Sequence, residues 1–307
     1  MSGESTPSVE QPPSHRSGFV AIVGRPNVGK STLLNKLLGE KVAIVTPRPQ
    51  TTRNQIKGIK TLPNAQVIFL DTPGIHRARS LLNRRMVATA LKTLRDDVDG
   101  ILWVIDAREG IRGEDEDIAR LLQESSAETL VVLNKIDLVS KGKLLPLMER
   151  CSRLLPGAEI VPVSALQGEN LELLLELIVK RLPEGPRYYP EGEVTDQTER
   201  FLAAEIVREK IFLLTRQEVP YATAVTIDEF TEKEEKSLIV IKATIHVDRE
   251  SHKPILIGNR GTMLREIGKA AREELEGILG WRLFLELFVK VDRDWTQNPG
   301  ALNELGL

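Results

Sequence analysis

From Gly18 to about Leu182 the chain alternates unbroken apolar runs with stretches whose apolar residues recur at helical spacing. "GFVAIVG", "AQVIFLD", "GILWVIDA", "TLVVLNK" and "EIVPVSA" are five β-rich runs. Between them "KSTLLNKLLG" and residues 80–95, 113–126, 143–155 and 170–182 carry the helical pattern. Continuous apolar strands separated by amphipathic helices predict an α/β domain over 18–182, its mainly parallel sheet covered by helices on both faces.

Residues 182–196, "LPEGPRYYPEGEVTD", interrupt this rhythm with three prolines and two glycines, so 183–195 reads as a linker. Thr195 or Asp196 is placed to cap the amphipathic helix that follows, "ERFLAAEIVREKIFLL". Next come "YATAVTIDEF", alternating like a half-exposed antiparallel strand, and a second strand, "KSLIVIKATIHV". A short apolar turn, "KPILIG", leads into a glycine loop, the helix "TMLREIGKAAREELEGIL" and the strand "RLFLELFVKV". This order predicts an α+β domain over 196–295. Residues 1–17 are polar and Pro/Ser-rich without an apolar core, which reads as a mobile tail and not as a secretory signal. Residues 296–307 read as a C-terminal tail.

Composition narrows the class. A chain of 307 residues, 41% hydrophobic and 28% charged, suits two globular domains, and no apolar run approaches the roughly 20 residues that span a bilayer. One cysteine, Cys151, excludes internal disulfides and fits a reducing cytosol, with a buried small hydrophobe as its expected role. The net charge of −2 conceals local asymmetry. Residues 41–60 hold five Lys/Arg and no acid, 77–95 hold six and no acid, and 249–272 hold six against two acids. Each basic run lies beside a phosphate-type loop, which points to an anionic partner.

"GRPNVGKST", Gly24 to Thr32, has the spacing G-x-x-x-x-G-K-[ST] between a strand and a helix. Through Gly24, Arg25, Pro26, Asn27, Val28 and Gly29 the backbone can turn its N–H groups inward around phosphates at a helix N-terminus. Lys30 is then the candidate for the β- and γ-phosphates, and Ser31 for Mg²⁺. "DTPG" supplies Asp71 near the metal and Gly74, whose N–H can sense the γ-phosphate, with Thr72 and Pro73 between them. In "PRPQTTRNQ", Thr51 or Thr52 can close over Mg²⁺, Thr52 being the favoured one. Both segments are candidates for switching on hydrolysis. The helix after "DTPG", carrying Arg77, Arg79, Arg84 and Arg85, is expected to move with them. "NKID" selects the base. Asp137, read as a buried carboxylate, accepts both the ring N–H and the exocyclic amine of guanine, a pair that adenine does not offer. Asn134 and Lys135 brace loop and base, and Ser164, Ala165 and Leu166 close the set with a backbone N–H toward the base. The candidate catalytic set is Lys30, Asn27, Thr52 and Gly74. Where familiar guanine nucleotide hydrolases place a water-orienting glutamine after the glycine, this chain has Ile75.

In the second domain Gly258-Asn259-Arg260-Gly261 forms the GxxG loop of a KH module, in the type II element order, a device that clamps single-stranded RNA by its backbone. Lys253, Ile257, Arg265 and Lys269 join the loop as candidate RNA contacts, with Arg272 adding charge. Ile255, Leu256, Met263, Leu264 and Ile267 are expected in the core. The acidic stretch 228–235 is expected away from the RNA face.

The five nucleotide elements in order resemble the translation-factor class of P-loop GTPases, and "GRPNVGKST", "QTTR" and "DTPGI" resemble its Era branch. With the linker and KH unit, the resemblance spans about Gly18 to Trp295. It implies a hydrophobic residue in place of the catalytic glutamine, and GTP/GDP with Mg²⁺ as ligands. It also implies binding near the 3′ end of small-subunit ribosomal RNA, with a role in maturing that subunit. Asn27 matches an asparagine that relatives associate with a bound K⁺; holding the loop's shape is its alternative role, and arginines of a partner or of 77–85 are a competing source of charge. The expected protein is a cytoplasmic monomer, in part at the inner membrane face. Two other readings stay open: a GTPase whose second domain holds a protein or membrane partner, and an RNA chaperone whose nucleotide site is structural.

Overall fold

The computed structural model describes residues 15–78 and 80–307; most of the expected N-terminal tail and Arg79 lie outside the described residues. The first domain is a six-stranded sheet in the order β2-β3-β1-β4-β5-β6, built from β1 (Arg16–Val23), β2 (Ile56–Leu62), β3 (Ala65–Asp71), β4 (Gly100–Asp106), β5 (Glu128–Asn134) and β6 (Glu159–Pro162). All pairings are parallel except β2 with β3. Alternate residues of β1 serve the two faces. Val20 and Ile22 pack with Leu33 and Leu37 of α1 (Lys30–Leu38) and with Leu174 and Ile178 of α5 (Leu171–Arg181). Ala21 and Val23 pack with Ala90 of α2 (Leu81–Arg95), Ile118 of α3 (Gly113–Gln123) and Cys151 of α4 (Lys141–Leu154). Strand order reverses at β1, which opens a crevice at the C-terminal ends of the strands, where ligands of such sheets bind.

Strand β2 was not among the expected elements. Its "IKGIKTL" mixes lysines with apolar residues because it is the sheet edge, and Gly58 makes room for Leu34 and Leu38 of α1. The expected tail also gives way at its end, since β1 begins at Arg16, whose guanidinium donates to the carbonyls of Lys180 and Leu182. The expected linker is stitched down: the Tyr188 and Tyr189 amides donate to Gln66, and Ile59 N donates to Val194 O at 2.7 Å.

The second domain packs α6 (Glu199–Leu214), α7 (His252–Ile257) and α8 (Thr262–Leu279) on a sheet β7-β8-β9, formed by β7 (Thr223–Lys233), β8 (Leu238–Val247) and β9 (Arg282–Val291). β7 runs antiparallel to β8, and β9 parallel to it. The cap of α6 is Thr198, not Thr195 or Asp196, which are drawn back to Lys57 of β2. "KPILIG" is a helical turn, α7, and tolerates Pro254 in its first turn.

The largest departure is at the C-terminus. Residues 296–307, expected as a tail, hold most of a 3-10 turn (Trp295–Gln297) and a short helix, α9 (Pro299–Glu304). Trp295 and Leu302 are fully buried against Leu82 and Met86 of α2 and Ala224 of β7, so the end of the chain joins the two domains. Its large apolar residues, Trp295, Leu302, Leu305 and Leu307, are too few and unevenly spaced to show periodicity. Among the described residues, no helix is long and apolar enough to cross a membrane.

Candidate nucleotide site and nucleic-acid groove

The loop after β1 wraps the N-terminus of α1. The Lys30 ammonium is buried and donates to the carbonyls of Gly24 at 3.2 Å and Arg25 at 2.9 Å. Burial, with a smaller contribution from Arg25, pushes it down to about 8 against the pull of Asp71. Asp71 is buried at the end of β3, and burial pushes its carboxyl up to about 6, opposed by Lys30 and by a 2.6 Å hydrogen bond from Ser31. Thr52 Oγ1 lies 2.9 Å from Ser31 Oγ, which gathers Ser31, Thr52 and Asp71 at one point. Thr51 turns the other way and bonds Thr46. These three oxygens are a donor set suited to Mg²⁺, which takes hard oxygen ligands.

Gly74 approaches the loop so closely that a Cβ would lie 2.5 Å from Pro26 N. The next residue, Ile75, donates its N–H to Gly24 O and buries its side chain among Val23, Trp103 and Ile105. It belongs to the core and faces no phosphate.

At the end of β5 Asn134 is a staple: its Nδ2 donates to Val28 O at 2.9 Å and its Oδ1 accepts from Ala165 N at 3.0 Å. Lys135 pairs with Asp106 at 2.6 Å and donates to Asn27 O. The carboxylate of Asp137 accepts from Ser164 Oγ at 2.5 Å and is exposed at the cavity, which corrects its reading as a buried group. A cavity of about 390 Å³ is lined from one end to the other by Asp137, Leu166, Asn134, Lys30, Thr52 and Gly74, with Asn27, Gly29, Ser31, Thr32 and Ala165 also on its wall. The side chains of three other expected contacts are engaged within the protein, which leaves the part of the Arg25 and Val28 backbone N–H groups in the loop unaffected. Arg25 is held by Asp115 and Glu109, Val28 is in the core, and Thr72 donates to Ile22 O. The Ala165 N–H is already taken by Asn134, so it is not the one free for a base.

In the KH unit the loop between α7 and α8 has Gly258, Arg260 and Gly261 at φ 72°, 51° and 78°. A side chain on Gly258 would meet Met263 N at 2.7 Å. Asn259 and Arg260 are exposed, while Ile257 and Lys253 are half-buried. Beside the loop an open groove of about 550 Å³ runs between Gly261, Leu264, Arg265, Lys269 and Arg272 of α8 and the edge strand β9. Leu264, half-buried against the core as expected, also forms a wall of the groove, whereas Ile255, likewise expected in the core, is 47% exposed. The acidic stretch lies on β7, at the opposite edge of the sheet.

The family described as 50S ribosome-binding GTPase matches residues 19–135, and the KH domain family matches 218–296. GTPase Era of Syntrophus aciditrophicus is 55% identical over 291 residues, 95% of each chain, and that of Geobacter metallireducens is 51% identical over 95% of this chain and 97% of its own. This chain belongs to the Era family of GTPases. Two solved Era structures superpose over 95% of this chain and 99% of their own, each with a TM-score of 0.91. One is an Aquifex aeolicus Era variant bound to GDP and AlF4−, 49% identical; the other is Era with MgGDPNP and nucleotides 1506–1542 of 16S ribosomal RNA, 48% identical. The chain is accordingly a GTP-hydrolysing P-loop GTPase domain followed by a KH domain.

The residues that join these two units carry no motif. Arg53, one residue after Thr52, is buried in the KH domain, donating to the carbonyls of Thr223, Tyr221 and Pro220 and lying 5.6 Å from the Trp295 ring centroid. Arg208 donates to Thr51 O, and Glu209 accepts from Val45 N and pairs with Lys41. Arg48 donates to Thr215 O. The basic run 41–60, expected to face an anionic partner, is thus engaged within the protein, since Lys57 pairs with Asp196 and Lys60 donates to Leu38 O. The one signal available was the charged triplet Arg208-Glu209-Lys210 inside a helix otherwise rich in apolar residues.

Proposed function

We propose that this Era-family GTPase binds GTP and Mg²⁺ in the cavity between Asp137 and Gly74. It holds single-stranded RNA near the 3′ end of small-subunit ribosomal RNA on Gly258–Gly261 and the α8–β9 groove, and it times assembly and maturation of that subunit. Ser31, Thr52 and Asp71 hold the Mg²⁺, Lys30 and Gly74 meet the γ-phosphate, and Asp137 reads guanine. A relative carrying 16S ribosomal RNA supports the RNA class. The observation that carries the timing is the double attachment of residues 46–53. Thr52 is tied to Ser31, while Thr51 and Arg53 on either side are tied to the KH domain. A segment ordered by the γ-phosphate then biases how the KH domain sits, which is the differential contact that coupling requires.

Intrinsic hydrolysis is slow, because Ile75 orients no water. Asn27, exposed at φ 64° on the cavity wall, supplies a ligand for K⁺ that offsets charge developing on the phosphates. The protein acts in the cytoplasm as a monomer, and any membrane association is peripheral.

The test is RNA affinity with GDP against that with a non-hydrolysable GTP analogue, together with sequencing of RNA crosslinked in cells in each state. Tighter binding in one state is expected. Equal affinities would sink the timer, and loss of RNA binding in Gly258→Asp with nucleotide binding intact separates the RNA reading from that of a protein or membrane partner. Hydrolysis faster in KCl than in NaCl, with the difference lost in Asn27→Ala, checks the cation; equal rates refute it.

A further inference from the structure

We propose that Gln50 is the residue that orients the attacking water, taking the role that Ile75 cannot fill. The proposal rests on reading the cavity above as the nucleotide site. Gln50 stands at the tip of a tight turn closed by Thr46 Oγ1 and Thr51 Oγ1 at 2.7 Å and by Thr51 Oγ1 donating to Arg48 O at 3.0 Å. Its backbone lies in the left-handed region, φ 61°, a conformation that L side chains adopt rarely and that turns this one out of the loop. Gln50 is half-buried, and its side-chain amide has no hydrogen-bond partner among the described residues.

Three cavities meet at this side chain. One is the nucleotide cavity. The second, about 410 Å³, lies between the domains and is lined by Arg53, Tyr221 and His252. The third, about 620 Å³ and open, is lined by Arg25, His76, Arg77 and Glu114. Among the described residues only Pro26 and Gln50 line both the first and the third, so these two residues are the sill between them. The sill stands at the phosphate end, because Pro26 touches Gly74 and Thr52 is two residues from Gln50. Water entering from the open cavity toward the γ-phosphate passes the amide.

The competing groups are unsuited. Arg25 is committed to Asp115 and Glu109, Glu114 is an acid, and His76 lines the outer cavity alone. A glutamine amide accepts from water through its oxygen and donates to a phosphate oxygen through its nitrogen. The water oxygen bonds to the γ-phosphorus as the bond to the β–γ bridging oxygen breaks. GDP leaves, the water's proton ends on the released phosphate, and Gln50 is unchanged.

Gln50→Gly provides the test, since glycine keeps φ > 0 without strain and removes only the side chain. Single-turnover hydrolysis is expected to fall on the order of ten- to a hundredfold, with binding of a fluorescent GTP analogue unchanged and partial recovery in Gln50→Asn. Parental hydrolysis in Gln50→Gly would overturn the proposal, as would loss of nucleotide binding alongside the rate. Lys30→Ala and Asp137→Ala test the underlying site separately: if both bind the analogue as the parent does, the cavity is misread and the proposal falls with it.

Discussion

The guanidinium of Arg208, on the first helix of the KH domain, donates a 2.6 Å hydrogen bond to the carbonyl of Thr51, the neighbour of the threonine that meets Ser31. Arg208 is 3% exposed, and Glu205 accepts from its Nε and from the same Nη2 that reaches Thr51. On the proposed reading, ordering of Thr52 by nucleotide reaches α6 through one peptide unit. A coupling between sites is typically about 1–3 kcal/mol, and Arg208→Ala removes one of the few polar links that carry it here. The ratio of RNA affinities between the GTP-analogue and GDP states should fall toward one, while nucleotide affinity itself changes little. Fluorescence anisotropy with a labelled RNA in both states measures this; an unchanged ratio would place the coupling elsewhere.

The base end makes a different claim. Ser164 holds one carboxylate oxygen of Asp137, which fixes the group's orientation at the cavity mouth. In Asp137→Asn an amide donor faces the donors of guanine, and a charge-assisted pair is lost at a cost of about 3 kcal/mol, a hundredfold or so in affinity. Xanthine carries a carbonyl where guanine carries its amine, so the same variant should gain affinity for xanthosine triphosphate. Titration with both nucleotides checks the reversal. Loss of both would indicate a damaged loop.

What was legible beforehand follows from how local the physics is. A phosphate cradle needs glycines, a lysine and a hydroxyl at fixed spacing, so Gly24 to Thr32 could be read directly, as could the alternation of buried strands with helices. The two-sided attachment of residues 46–53 could not. Arg53, Arg208 and Glu209 look like solvated charges in their own segments, and they are buried only because the other domain meets them, with carbonyls for the two arginines and with the Val45 N–H and the Lys41 ammonium for Glu209. The same holds for the run 41–60, whose lack of acids suggested an outside partner when the acceptors lay elsewhere in the chain. Trp295 stood at a boundary where no periodic pattern could mark it as buried.

That tryptophan gives the third prediction. It is fully buried, donates to Ala222 O at 3.0 Å and lies between Arg53 and the α2 side chains Leu82 and Met86. Trp295→Ala should cost about 3–5 kcal/mol of stability, felt mostly as loosened domain docking. Thermal unfolding should separate into two transitions, with faster proteolysis between the domains. A single transition shifted only slightly would mean that Trp295 adds little to the junction.

The last prediction concerns pH. In the free protein the Lys30 ammonium is pushed down to about 8, chiefly by burial. Triphosphate brings negative charge against it and raises its pKa, so above pH 8 the complex holds a proton that the free protein has lost. Affinity then falls as pH rises, by up to about tenfold per unit, and is flat below 8 as far as this group is concerned. Binding of a fluorescent GTP analogue at pH 7, 8 and 9 should show the break near 8, and Lys30→Ala should bind more weakly throughout and lose the slope. A slope that survives in Lys30→Ala would assign the proton to another group.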